Sequence, residues 1–148
     1  MSQTPIPPAL RERVRQRAHR LCEYCLLHER DGVHAFHVDH VISEKHQGPT
    51  GKHNLAFACP FCNRAKGSDI AGLADGTPVR LFNPRIDAWV DHFGFEAERI
   101  VAKSNIGAVT ATLLDFNDAH RLALRPATGV DGGESVPIRR SAGVTGLK

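Results

Sequence analysis

Leu10, Val14, Ala18 and Leu21 recur at helical spacing, and Arg11, Arg13, Arg15, Arg17 and Arg20 fill positions between them. This predicts an amphipathic helix from Ala9 to about Leu21 with an arginine-bearing outer face. The prolines of "TPIPPA" suit an extended arm leading into it. "VHAFHVDHVI" is β-branched and aromatic, without internal proline or glycine, and reads as a strand. "QGPTGKHN" is a turn-rich loop, and "LAFAC" is short enough to be the returning strand of a hairpin. "FCNRAKGSDIAGLA" predicts a short helix broken at Gly72 or soon after. Ile86, Trp89, Val90 and Phe93 again follow helical spacing, with Gly94 behind them as a C-cap. "EAERIVAKS" reads as a strand, "NIGAVTATLLDF" fits either helix or strand, and "NDAHRLALR" opens on an Asn or Asp N-cap before a last helix. From Thr128 onward large apolar residues are too few to pack, so a disordered tail is expected.

A chain of 148 residues with 41% hydrophobic content suits one domain with a modest core. No apolar run approaches the roughly 20 residues needed to cross a bilayer, and the start lacks the apolar centre of a secretory signal. A soluble, cytoplasmic protein without a membrane partner is expected. The formal charge of +3 is mild, but five arginines crowd between Arg11 and Arg20 with only Glu12 in reply. Such a segment suits a polyanion, although a solvated helix face is the commoner meaning of a basic run.

All four cysteines fall in two C-x-x-C pairs, Cys22 and Cys25 in "CEYC" and Cys59 and Cys62 in "CPFC". Each pair lets two thiolates converge from a tight turn, and two pairs complete the tetrahedral set of a structural Zn²⁺ site. Disulfides do not suit a reducing cytosol, and a redox C-x-x-C does not explain why there are two. The metal would close a loop holding the whole predicted hairpin, and so fix whatever that hairpin carries.

The hairpin carries "FHVDHVIS". In a regular strand His37 and Asp39 point to one side and His40 to the other, unless the strand ends or bulges near Asp39. A carboxylate is a hard ligand suited to Mg²⁺, and a neutral imidazole accepts a proton from water, so Asp39 and His40 are candidates for metal ligand and general base. Taken alone, the dipeptide reads more simply as the solvent face of a surface strand.

The ordered set C-x-x-C, "HVDHV", "HNL" and "CPFCNRAKGS" resembles the HNH endonuclease family, the ββα-metal nucleases, over Leu21 to about Asp69. The resemblance implies an α+β fold: a zinc-stapled ββα-metal module with an N-terminal helix and a mainly helical C-terminal extension. One domain over 1–127 is expected, with its core at 21–72, its extension at 78–127 and the tail at 128–148. By position, His40 matches the invariant histidine, Asn54 the central asparagine that holds the loop, Asp39 the acidic metal ligand and Asn63 the final ligand. Asparagine stands where the family name implies histidine, making an H-N-N variant whose carbonyl still suits Mg²⁺. Lys66 and Gly67 match a frequent K-G, and His37 is a further candidate beside the metal or a phosphate.

The implied activity is hydrolysis of DNA phosphodiesters with Mg²⁺ or Mn²⁺, leaving a 5′-phosphate and a 3′-hydroxyl. Contacts are expected mainly to phosphates, from Arg64, Arg13 and Arg17, with weak sequence preference. Arg64 and Lys66 would face the duplex, or else simply solubilise their helix. "LFNPRIDAWVDHF" resembles an extension in a group of bacterial HNH proteins; core packing by Ile86, Trp89 and Phe93 is expected, and Arg85 and His92 are placed to reach DNA or, more simply, to serve as cap or surface residues. Two other readings stand: a non-catalytic zinc-stabilised DNA-binding module, and a nuclease subunit active only with a phage or restriction partner. Activity with Mg²⁺ separates the first of these from a nuclease.

Overall fold

The computed structural model describes residues 4–125, so the expected tail lies outside the described residues. Helix α1 (Pro8–Arg17) starts on a proline, whose missing N–H has no intrahelical partner to lose. It stops short of Leu21 because His19 and Arg20 adopt positive φ of 54° and 62° and turn the chain back into the first cysteine pair. Strands β1 (His37–His40) and β2 (Leu55–Ala58) form an antiparallel hairpin in which Asp39 faces Ala56 and His40 faces Leu55. Helix α2 (Pro60–Lys66) follows at once, with Cys59 as its N-cap.

The helix expected to run toward Gly72 ends at Gly67, which takes φ 51°. Ala71–Ala74 (β3) instead pairs with Thr77–Arg80 (β4) across Asp75 and Gly76, both at positive φ. Two left-handed residues at a two-residue turn match the twist of a hairpin, and Asp-Gly supplies them readily. The Ile86–Phe93 helix is likewise shorter than its spacing predicts. Only Trp89–His92 (α3) is helical, Ile86 is exposed, and Phe93 opens β5 (Phe93–Glu96), so Gly94 is a strand residue rather than a cap. Pairing with β6 (Arg99–Ala102) claims Phe93 and overrides the helical pattern. The ambiguous segment resolves as helix α4 (Asn105–Leu113), capped by Ser104, and Asp118 caps α5 (Ala119–Leu124).

The β1–β2 hairpin separates two apolar clusters. Val38, Leu55 and Phe57 pack on one face with Ile6, Val14 and Ala18 of the arm and α1. On the other face, Ala56 and Ala58 join the four cysteines, Tyr24, Leu81, Phe82, Trp89, Phe93 and Phe116 in one continuous core. The extension is therefore built onto the cysteine turns. The Trp89 indole N–H donates to the Tyr24 carbonyl at 2.9 Å, and Arg85 forms a partly buried ion pair with Glu23.

Candidate functional site

Cys22 and Cys25 lie in the turn closed by a Leu21–His28 bridge, while Cys59 ends the hairpin and Cys62 sits in the first turn of α2. All four are fully buried, and their sulfurs lie within 4.8 Å of one another. Sulfurs placed about 2.3 Å from a central zinc in a tetrahedron stand about 3.8 Å apart. Cys25 Sγ and Cys59 Sγ are 3.8 Å apart, beyond a disulfide and at the tetrahedral spacing. Burial disfavours a thiolate at Cys22 and Cys62, a cost that a cation among the four sulfurs would offset. Backbone N–H groups of Cys25 and Cys62 donate to Cys22 Sγ and Cys59 Sγ, both at 3.4 Å. From the far end of the chain, Arg121 Nη1 donates to Cys62 Sγ at 3.1 Å. The donor set fits a closed, structural Zn²⁺ site.

Immediately after Cys62, Asn63 shares a recess between hairpin and α2 with Asp39, His40, Lys66 and Tyr24. Asp39 reaches it because its strand partner is Ala56, on the α2 face of the hairpin. His40, one residue on, also lines the recess: β1 ends there, and His40 Nδ1 lies 3.8 Å from Asp39 Oδ1. The imidazole is buried. Its Nε2 is 2.7 Å from Thr50 Oγ1, whose hydroxyl donates to Glu44 Oε2 at 3.3 Å, while Nδ1 has no hydrogen-bond partner. Asn54 closes the loop between the strands: its Oδ1 accepts from the Ile42 N–H at 3.0 Å, and Nδ2 donates to the carbonyls of Ile42 and Pro49 at 2.8 and 2.9 Å. With its amide so engaged, Asn54 positions the loop.

Two antiparallel strands, a helix and a thiolate set that joins them thus hold a His, an Asp and an Asn at one recess. Residues 22–69 match the model of the HNH endonuclease family. No curated protein and no solved structure matches the chain. The match supports a nuclease-type function and nucleic-acid binding for the matched segment.

The structure sorts the remaining candidates around the module. Lys66 is not a solubilising residue: it is only 5% exposed and its Nζ donates to the Val41 carbonyl at 2.7 Å. Burial lowers its pKa, against the pull of Asp39 and Asp69. The contact ties α2 to the end of β1, which sets Asn63 opposite Asp39. Arg64 and His37 are exposed. Arg17 has its guanidinium on the carbonyls of Lys52 and Leu55, at 2.8 and 2.7 Å, so it fastens α1 to the hairpin. Arg13 is exposed on α1, across the hairpin from the recess. Arg85 and His92 both turn inward, Arg85 onto Glu23 and Leu55 and His92 onto Ser104 at 2.6 Å. Glu44, Thr50 and Tyr24 escaped the sequence reading. Glu44 lies four residues after His40, but only the folded loop reveals that Thr50 stands between them. No described helix is long and apolar enough to cross a membrane.

Proposed function

We propose that the chain is a metal-dependent endonuclease that hydrolyses DNA phosphodiesters in a reducing compartment such as the cytoplasm. The supporting observation is the meeting of Asp39, His40 and Asn63 at one recess beside the four-cysteine cluster. Nδ1 of neutral His40 takes a proton from a water aimed at the scissile phosphorus. Asp39 and the Asn63 amide oxygen form a hard, oxygen-only pair suited to Mg²⁺ or Mn²⁺. A divalent cation bound there would offset the charge that develops on the phosphate and the leaving oxygen. Asn54 and Lys66 hold the loop and the helix that carry these groups. Products are a 5′-phosphate and a 3′-hydroxyl. Exposed Arg64, on the helix that carries Asn63, serves the phosphate backbone, so binding falls steeply with salt and depends little on sequence.

The test is relaxation of supercoiled plasmid with Mg²⁺, Mn²⁺ or EDTA, comparing wild type with His40→Ala at equal zinc content. Loss of a general base typically costs about 10²–10⁴-fold. Cutting by wild type with metal alone, and none above background by the variant, is the expected outcome. Equal cutting by both proteins would place the base elsewhere, and DNA binding without cutting by either would favour the non-catalytic module.

A further inference from the structure

His40 is held from behind by two residues that the family resemblance does not name. The Thr50 hydroxyl has one proton, and Glu44 Oε2, 3.3 Å away, can only accept it. Thr50 Oγ1 is then left with lone pairs toward His40 Nε2, at 2.7 Å. With the hydroxyl proton directed to that carboxylate, Nε2 is the atom that carries the imidazole proton and donates it to Thr50. In a neutral ring the lone pair then lies on Nδ1, the atom that is buried, lacks a hydrogen-bond partner and stands 3.8 Å from Asp39. A ring held the other way round would present an N–H to the recess and could not accept a proton there.

We infer that Thr50, oriented by Glu44, is a positioning residue that fixes the His40 tautomer with Nδ1 as the basic atom. The inference rests on the nuclease reading for its catalytic consequence, but the tautomer is a property of the protein by itself. The anchor is also tied beyond the loop, because the backbone N–H of Thr4 in the N-terminal arm donates to the other Glu44 oxygen, Oε1, at 3.3 Å. The arm thereby reaches the catalytic histidine through one carboxylate and one hydroxyl. Asn54 supports the same arrangement from the backbone side, through Pro49 next to Thr50.

Thr50→Val removes the hydroxyl at nearly constant shape, and Thr50→Ser restores it. Long-range ¹H–¹⁵N correlation spectra of the zinc-loaded protein, without nucleic acid, read the tautomer directly. Wild type and Thr50→Ser should show His40 with its proton on Nε2, and Thr50→Val should show a mixture. In plasmid cleavage, Thr50→Val should lose about 10- to 100-fold in kcat with KM within about threefold, as removal of an orienting partner typically does, and Thr50→Ser should recover most of it. A wild-type ring protonated on Nδ1, or a Thr50→Val protein with unchanged tautomer and kcat, overturns the inference. The two readings fail separately. Full cutting by His40→Ala overturns His40 as the general base, and no cutting by wild type overturns the nuclease assignment, while either leaves the tautomer measurement standing.

Discussion

Gly48 occupies a place where no side chain fits. A Cβ built there would lie 1.8 Å from the Ile42 carbonyl oxygen and 2.8 Å from Asn54 Nδ2. Both atoms belong to the hydrogen bond by which Asn54 closes the loop, so the neighbour that must move is backbone rather than a flexible side-chain end. Gly48→Ala should therefore pull the loop away from Asn54 and loosen Thr50 and His40 together. The expected cost is about 1–3 kcal/mol of stability, within the range for overpacking, and a loss of at least tenfold in cleavage, of the kind that follows misplacement of a positioned group. Zinc content should not change, because the cysteines lie outside this loop. Gly51 supplies the control: its backbone is extended and a Cβ there meets nothing within 4 Å, so Gly51→Ala should cut and melt like wild type. Denaturant unfolding and plasmid relaxation on the two variants separate a steric requirement from general sensitivity of the loop.

Among the elements, legibility followed the range of the signal. The β1–β2 hairpin and the cysteine pairs were readable because each depends on residues close in sequence: alternating β-formers, a turn-rich loop, two C-x-x-C turns. The β3–β4 hairpin was missed although Asp75-Gly76 marks it, since its strands are Ala-Gly-Leu-Ala and Thr-Pro-Val-Arg, short and largely exposed. The helix through Trp89 failed for the opposite reason, as Phe93 has a better partner in β6 than in another helical turn. Arg121 was illegible altogether, lying 59 residues from the cysteine it touches. Its guanidinium is 2% exposed, donates to Cys62 Sγ and the Leu114 carbonyl, and stacks 5.2 Å from the Phe61 ring centre. A zinc tetrathiolate carries net negative charge, and this is the cation that α5 sets against it. Arg121→Met should release zinc to excess chelator about 10- to 100-fold faster, the usual effect of removing a group that orients or neutralises a ligand. Arg121→Lys keeps the charge but loses the planar fork, so an intermediate rate is expected. Unchanged release from Arg121→Met would reduce Arg121 to a packing residue.

For the whole molecule, the shared core decides whether module and extension are separable. Trp89, Phe82, Phe93 and Phe116 pack in one cluster with the four cysteines, and each large apolar side chain contributes about 1.5–3 kcal/mol by burial. That cluster cannot survive if the cysteine turns open. A structural zinc contributes roughly 10–16 kcal/mol, against a net stability of about 5–15 kcal/mol for a typical domain. Removing the metal should therefore unfold the extension along with the module rather than leave it standing. Trp89 reports this directly: it is the only tryptophan in the chain, it is 1% exposed, and its indole is bonded to Tyr24, between the first two cysteines. On titration with a strong chelator, its emission should shift to the red in step with zinc release and loss of helical circular dichroism, and zinc should restore both. If Trp89 stayed in a buried, blue-emitting environment after the zinc was gone, the extension would be an independent folding unit. The Trp89 and Arg85 contacts with the cysteine turn would then be a docking interface between two units rather than parts of a single core.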